Sequence, residues 1–169
     1  MKCIYHYDTP IGRLGIAETA DGAVSHILFD KDNRVDNINR ADFIKTGFTD
    51  YEIRETPAIL TAVTQLHEYF NGVRQAFDFP MNPRGTDFQK SVWTALIAIP
   101  YGETRTYRAI AEQIGNPKAV RAVGMANNRN PLPIVVPCHR VIGSNGALVG
   151  YAGGLDVKRF LIDLEKRDG

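Results

Sequence analysis

The sequence predicts two unlike halves: a strand-rich α/β unit over residues 1–80 and a mainly helical unit over residues 81–169. Short apolar runs separated by turn residues fill the first thirty positions. Helical spacing with clear start and stop signals dominates after residue 85. Between them, Pro80-Met81-Asn82-Pro83-Arg84-Gly85 reads as a linker, because two prolines and a glycine suit neither a helix nor a central strand.

In chain order, Lys2–Tyr7, Leu14–Glu18 and Val24–Phe29 read as strands, divided by Asp8-Thr9-Pro10 with Gly12 and by Asp21-Gly22. Asp30–Arg40 is polar and reads as a loop; residues 41–55 carry no clear pattern. Thr56 and Pro57 then signal a helix start, and Ile59, Ala62, Val63, Leu66 and Phe70 share one face before Asn71-Gly72 stops it. Phe77-Asp78-Phe79 is a candidate further strand.

Thr86-Asp87-Phe88-Gln89 has the form of a capping box, with Phe88, Val92, Ala95, Leu96 and Ile99 as the apolar stripe behind it. Pro100-Tyr101-Gly102 ends that helix. Tyr107, Ile110, Ala111 and Ile114 fit a short helix broken by Gly115. Asn116 and Pro117 can then start another, running to about Asn127. Two helices around a glycine turn outline a helix-turn-helix. On the second, Val120, Val123, Gly124 and Asn127 form one stripe, with the valines as core anchors. Ala119, Ala122 and Ala126 form a stripe of small residues, and Lys118, Arg121, Met125 and Asn128 a third. Small residues beside a single Arg fit a narrow minor groove better than a major groove read by long polar side chains. The same pattern also fits a helical hairpin packed only on protein.

Composition is that of a soluble globular chain, 44% hydrophobic and 23% charged. No stretch is long and apolar enough for a membrane span, and the N-terminus has no apolar signal core, so a cytoplasmic protein is expected. The net charge of +1 conceals an asymmetry: residues 1–80 hold 8 basic against 12 acidic residues, and 81–169 hold 12 against 7. Within 105–140 there are six basic residues and one acid, Glu112. Such a field suits a polyanion, or simply a solvated basic face. Two cysteines and four histidines show no zinc-type spacing, so no metal and no cofactor are expected.

The strongest local signal is Pro131-Leu132-Pro133-Ile134-Val135-Val136-Pro137-Cys138-His139-Arg140-Val141. Three prolines stiffen the approach to Cys138, and His139 stands beside it. Cysteine attacks as a thiolate, so a base must take its proton; His139 can do so directly or through a water. Neighbours on an extended strand point to opposite sides, so the backbone must turn here or a water must bridge. In the last helix Asp156 can cap, and Val157, Phe160, Leu161 and Leu164 form the buried side. Glu165, on the Val157–Leu161 row, can reach inward to orient the imidazole. Each of these residues alone also fits a plain core cysteine or a solvated carboxylate.

Pro137-Cys138-His139-Arg140-Val141 resembles the active-site signature of the O6-alkylguanine-DNA alkyltransferases. Asn130-Pro131 precedes it at the family's spacing, and Gly150-Tyr151-Ala152-Gly153-Gly154-Leu155 resembles the family's substrate loop. Pro100-Tyr101-Gly102-Glu103 and the segment from Gly115 to Gly124 match as well, so the resemblance is close over about residues 85–165 and holds in outline before that. It implies an N-terminal ribonuclease-H-like α/β domain and a C-terminal winged-helix domain.

The resemblance also implies roles. Cys138 is the alkyl acceptor, with His139, a water and Glu165 as the relay that makes the thiolate. Asn130 braces the turn, and Tyr107 donates a proton to guanine N3. Arg121 enters the duplex, with Ala119, Ala122, Lys118 and Asn116 on the DNA-facing helix. Pro133, Val135, Val136, Met125, Tyr151, Ala152 and Gly153 line the base pocket. The partner is alkylated double-stranded DNA, met by a monomer without a required protein partner, and O4-alkylthymine is a second substrate. Some relatives have Ser where this chain has Ala152, so backbone N–H groups must serve guanine O6 here.

Three rivals remain. A non-catalytic lesion sensor lacks the reactive cysteine, so Cys138 argues against it. A transcription regulator has no need of Cys138, His139, Tyr107 and Glu165 together. A cysteine hydrolase needs an oxyanion hole that the sequence does not declare.

Overall fold

A computed structural model describes residues 1–30 and 51–168. The expected loop at 31–40, and residues 41–50 of the patternless stretch, lie outside the described residues.

Strands β1 (Lys2–Thr9), β2 (Gly12–Glu18), β3 (Val24–Asp30) and β4 (Tyr51–Ile53) form one sheet in the order β3-β2-β1-β4. The hairpin pairs are antiparallel, and β1 pairs with β4 in parallel. The first hairpin turns through Gly12, whose φ of 103° few side chains tolerate. Helix α1 (Pro57–Phe70) lies on the sheet, with Leu14 and Ile16 packed in one core with Ile59, Val63 and Leu66. Thr56 caps α1 by accepting from Ile59 N, and Pro57 occupies its first turn, as the sequence predicts.

Phe77–Phe79 forms no strand. Phe79 is buried as a core side chain, and the following segment touches β3 by one bridge, Val24 to Met81. Val24 N donates to Pro80 O and Asn82 N to Val24 O, both at 2.9 Å, so the linker runs along the outer edge of β3. Its prolines cannot donate, which limits the pairing.

Helix α2 (Asp87–Ile97) opens with the predicted capping box: Gln89 N donates to Thr86 Oγ1 at 3.1 Å and Thr86 N to Gln89 Oε1 at 3.0 Å. Helices α3 (Tyr107–Gln113) and α4 (Val120–Asn128) make the helix-turn-helix. Gly115, at φ 78°, closes α3: its N–H bonds Glu112 O, and Asn116 N–H bonds Ala111 O. A two-stranded ladder, β5 (Arg105–Thr106) with β6 (Val141–Ile142), and helix α5 (Leu155–Asp168) complete the chain.

Further expectations change in the second half. Helix α4 begins at Val120 rather than Pro117, because Ala119 N–H bonds Asn116 O and closes a turn, leaving α4 without a side-chain cap. Val120 is 37% exposed, so Val123 alone of the two valines anchors α4. Ala126 is buried rather than part of an open small-residue face, because Trp93 Nε1 of α2 donates to its carbonyl at 2.9 Å. In α5, Phe160 is 39% exposed and Asp156 lies within the first turn, while Lys158 and Ile162 turn inward with Leu161 and Leu164.

Candidate active site

The approach to the cysteine is held by its own backbone. Asn130 Oδ1 accepts from Leu132 N at 2.9 Å, and Asn130 Nδ2 donates to Val136 O at 2.7 Å. Ile134 sits at φ 75°, a left-handed conformation strained for a β-branched residue, and costs about 1–3 kcal/mol. Pro137 (φ −80°, ψ 65°) forms an inverse γ-turn in which Cys138 N–H bonds Val136 O at 2.7 Å. A 3₁₀ turn, Cys138–Arg140, follows directly. The backbone therefore turns at the cysteine, one of the two routes that Cys138 and His139 require as sequence neighbours.

That turn aims His139 and Arg140 at α5. His139 Nε2 lies 2.8 Å from Glu165 Oε2, and Arg140 Nε donates to Glu165 Oε1 at 2.8 Å while Arg140 Nη2 also reaches that oxygen. Arg140 Nη1 donates to Ile99 O at 2.7 Å, and its guanidinium lies over the Tyr101 ring. All three ionisable side chains are buried. Burial pushes the Glu165 carboxyl up, but the hydrogen bonds from His139 and Arg140 outweigh it and hold the group below its usual value. Burial pulls the His139 imidazole below its usual value, with Glu165 opposing. His139 is thus neutral at pH 7, and Nδ1, buried and without a hydrogen-bond partner among the described residues, is the nitrogen left to take a proton.

Cys138 is 4% exposed, and burial pushes its thiol up to about 11. The Asn130 side chain and the charge on Lys158 act against that rise. Lys158 is fully buried on α5, donates to Val149 O at 3.0 Å, and lies 5.8 Å from the centre of the Tyr107 ring. Tyr107, at the start of α3, donates its hydroxyl to the same Val149 carbonyl at 3.0 Å. Burial and the nearby Cys138 raise the Tyr107 phenol above its usual value. The Tyr151 hydroxyl is buried close enough to Cys138 for its charge to act on it.

Cys138, His139, Glu165, Asn130, Tyr107 and Tyr151 therefore meet around one turn. Pro133, Val135 and Val136 are buried behind it, and Gly153 is half-buried beside Tyr151. Ala152 is exposed, and Arg121, Ala122 and Met125 face outward on α4, with Met125 58% exposed. Lys118 and Asn116 are exposed in the turn before α4, and Ala119 is half-buried at its start.

Sequence reasoning assigned no part to three site residues. Arg140 follows Cys138 and His139 in the motif, and nothing in the sequence names its partner. Lys158 precedes Glu165 by seven positions, so helical spacing puts both on one face of α5. Asn127 sits on the Val123 stripe; it is buried, and its amide approaches Cys138 O at 3.4 Å. A polar side chain on an apolar stripe was the available signal for both.

The fold and site define a helix-turn-helix protein whose thiol stands beside a buried His-Glu-Arg cluster. The profile of the 6-O-methylguanine DNA methyltransferase DNA-binding domain matches residues 87–167, and that of the same family's ribonuclease-like domain matches residues 3–83. The methylated-DNA–protein-cysteine methyltransferase of Methanosarcina acetivorans is 49% identical over 159 residues, covering 94% of this chain and 95% of that protein. The constitutive enzyme of Bacillus subtilis is 48% identical, covering 94% and 92%. The crystal structure of Mycobacterium tuberculosis O6-methylguanine methyltransferase superposes with a TM-score of 0.83 at 43% identity, covering all of this chain and 95% of that one. The same bacterium's protein has also been solved in complex with DNA, and matches at a TM-score of 0.83 and 42% identity over 98% and 94% of the two chains. The chain belongs to the 6-O-methylguanine DNA methyltransferase family, with its ribonuclease-like α/β and DNA-binding parts.

Proposed function

We propose that this protein repairs DNA by direct reversal, moving the alkyl group of O6-alkylguanine onto its own Cys138 in one irreversible turnover. The observation that carries the reading is the buried His139–Glu165 pair held by Arg140 in the turn that presents Cys138. His139 takes the thiol proton through one water, and Glu165 with Arg140 steadies the imidazolium. The sulfur then attacks the alkyl carbon; the S–C bond forms as the C–O6 bond breaks, and the electron pair stays with guanine. Tyr107 turns its hydroxyl from Val149 O to guanine N3 and transfers its proton there, so the base leaves neutral and the phenolate is reprotonated from solvent. The thioether offers no leaving route, so each molecule acts once. No cofactor takes part.

The target carbon is hidden in a duplex, so the nucleotide must leave the stack. The outward face of α4, with Arg121 beside Ala122, suits the minor groove, where a side chain fills the space the base leaves. The Mycobacterium tuberculosis relative has been solved in complex with DNA, which supports DNA as the partner, and the chemistry of the transfer makes that DNA an alkylated duplex. The chain acts as a monomer in the cytoplasm, and O4-alkylthymine is a second substrate. No helix among the described residues is long and apolar enough to cross a membrane. The two domains divide after residue 80, where the linker leaves α1 for α2.

Intact mass after mixing with a duplex carrying one O6-methylguanine tests this. One methyl on the Cys138 peptide, with no turnover beyond one equivalent, is the expected result. No added mass with tight binding retained sinks the transfer and leaves a lesion sensor.

A further inference from the structure

The N-terminal sheet reaches into the site at β3. Ile27 N donates to Pro131 O at 2.8 Å, joining the outer edge of β3 to the turn that Asn130 braces. Two residues on, the Phe29 ring meets the Tyr151 ring edge-on, with centroids 5.7 Å apart at 65°. A Cβ added to Gly153 would stand 2.9 Å from Phe29 Cε1, 3.0 Å from Phe29 Cζ and 3.1 Å from Tyr151 Cε1. No positive φ accounts for a glycine at this position, unlike Gly150 and Gly154 on either side of it. Gly153 is a glycine because the Phe29 ring occupies the space a side chain would need. Edge-to-face ring pairs prefer a definite offset, so the contact fixes Tyr151 in position as well as burying it.

We infer that Phe29 is a specificity-determining positioning residue of the alkyl transfer: through Tyr151 and Gly153 it sets how far the loop after β6 stands from Cys138. The inference rests on the proposed transfer and adds that the first domain shapes the pocket. Ring and loop come from opposite ends of the chain, and the Ile27–Pro131 bond keeps β3 in register with the cysteine turn. With Phe29 in place the wall is close and favours a small adduct. With it removed, Tyr151 can retreat into the vacated space and a bulky adduct is admitted.

Single-turnover rates on duplexes carrying O6-methylguanine or O6-benzylguanine test this in wild type, Phe29→Ala, Phe29→Leu, Gly153→Ala and the double variant Phe29→Ala/Gly153→Ala. Phe29→Ala is expected to shift the benzyl-to-methyl rate ratio upward by about tenfold, within what one altered pocket contact supplies. Phe29→Leu, which keeps apolar contact but loses the ring edge, gives a smaller shift in the same direction and serves if the alanine variant unfolds. Gly153→Ala slows both substrates, and adding Phe29→Ala restores much of that loss because the clash is with the ring. An unchanged ratio in both Phe29 variants, or a Gly153→Ala defect that Phe29→Ala does not relieve, overturns the inference. A wild type that accepts no methyl overturns the proposed transfer with it, whereas a transferring wild type with an unchanged variant ratio overturns the role of Phe29 alone.

Discussion

Glu165 holds His139 through a 2.8 Å hydrogen bond in which neither side chain reaches solvent, with exposures of 2% and 0%. The same carboxylate takes two nitrogens of Arg140, so one helix residue fixes both positions that follow the cysteine. A carboxylate serving a base and a guanidinium at once cannot be removed without leaving a buried cation.

Glu165→Gln should therefore weaken fold and chemistry together. Breaking one side of a buried charged pair costs about 3–5 kcal/mol. The amide also presents a donor where His139 needs an acceptor, and loss of the oriented base should slow transfer by about a hundredfold or more. Urea unfolding and single-turnover transfer read the two effects. A stable variant with full transfer rate would remove Glu165 from the relay.

His139 makes stability depend on pH. Its folded-state pKa is depressed by burial, so below about pH 6.5 the unfolded chain binds a proton that the folded chain refuses. Stability is thus lost as pH falls from 7 toward 5. The depressed Glu165 carboxyl adds a loss in the same direction at lower pH, beneath the unfolded carboxylate value of about 4.3. Melting temperatures across pH 7 to 5 should fall in wild type and fall less in His139→Gln. Parallel curves for the two proteins would mean that His139 is not the titrating group.

Cys138→Ala should abolish transfer and keep binding to the lesion, because the pocket and α4 stay intact. A buried thiol has little room for its product: Cys138 is 4% exposed, and overpacking a tight site costs about 1–3 kcal/mol. Methylated protein should melt lower by about 2–4 °C for each kcal/mol lost in a chain of this size. Loss of lesion binding in Cys138→Ala would make the cysteine structural, and an unchanged melt after methylation would remove the overpacking.

Arg121→Ala should slow repair of a duplex more than reaction with free O6-benzylguanine, since the exposed α4 face acts on the stacked base and not on the thiol. Equal losses on both substrates would end the flipping role.

Much of the fold was legible because its signals are local. Thr56-Pro57, the Thr86–Gln89 box and Gly115 each act within a turn of their own position, and each does what its residue type allows. The failures are tertiary. Ala126 reads as an open small residue until Trp93 is found bonded to its carbonyl from another helix. Phe160 fits the apolar stripe of α5, but Lys158 takes the inward place because Val149 O and the Tyr107 ring wait there. Cys138 and His139 could be named from the motif. That Arg140 completes their cluster, and that Phe29 of the first domain backs their pocket, depends on contacts spanning 25 residues in one case and most of the chain in the other.

Lys158 carries the remaining expectation. Its charge lowers the Cys138 thiol from the value that burial would set, while burial pulls the Lys158 ammonium below its usual value and Cys138 opposes that fall. Lys158→Met keeps the length and apolar stem and deletes the charge. The rate of iodoacetamide reaction at Cys138, followed by peptide mass so that Cys3 does not contribute, should then rise with pH along a curve displaced to higher pH than in wild type. Transfer at neutral pH should slow for the same reason, and raising the pH should recover part of the loss. A purely structural lysine would lower reactivity by the same factor at every pH and leave the midpoint where it was, so a displaced midpoint separates the charge from the packing.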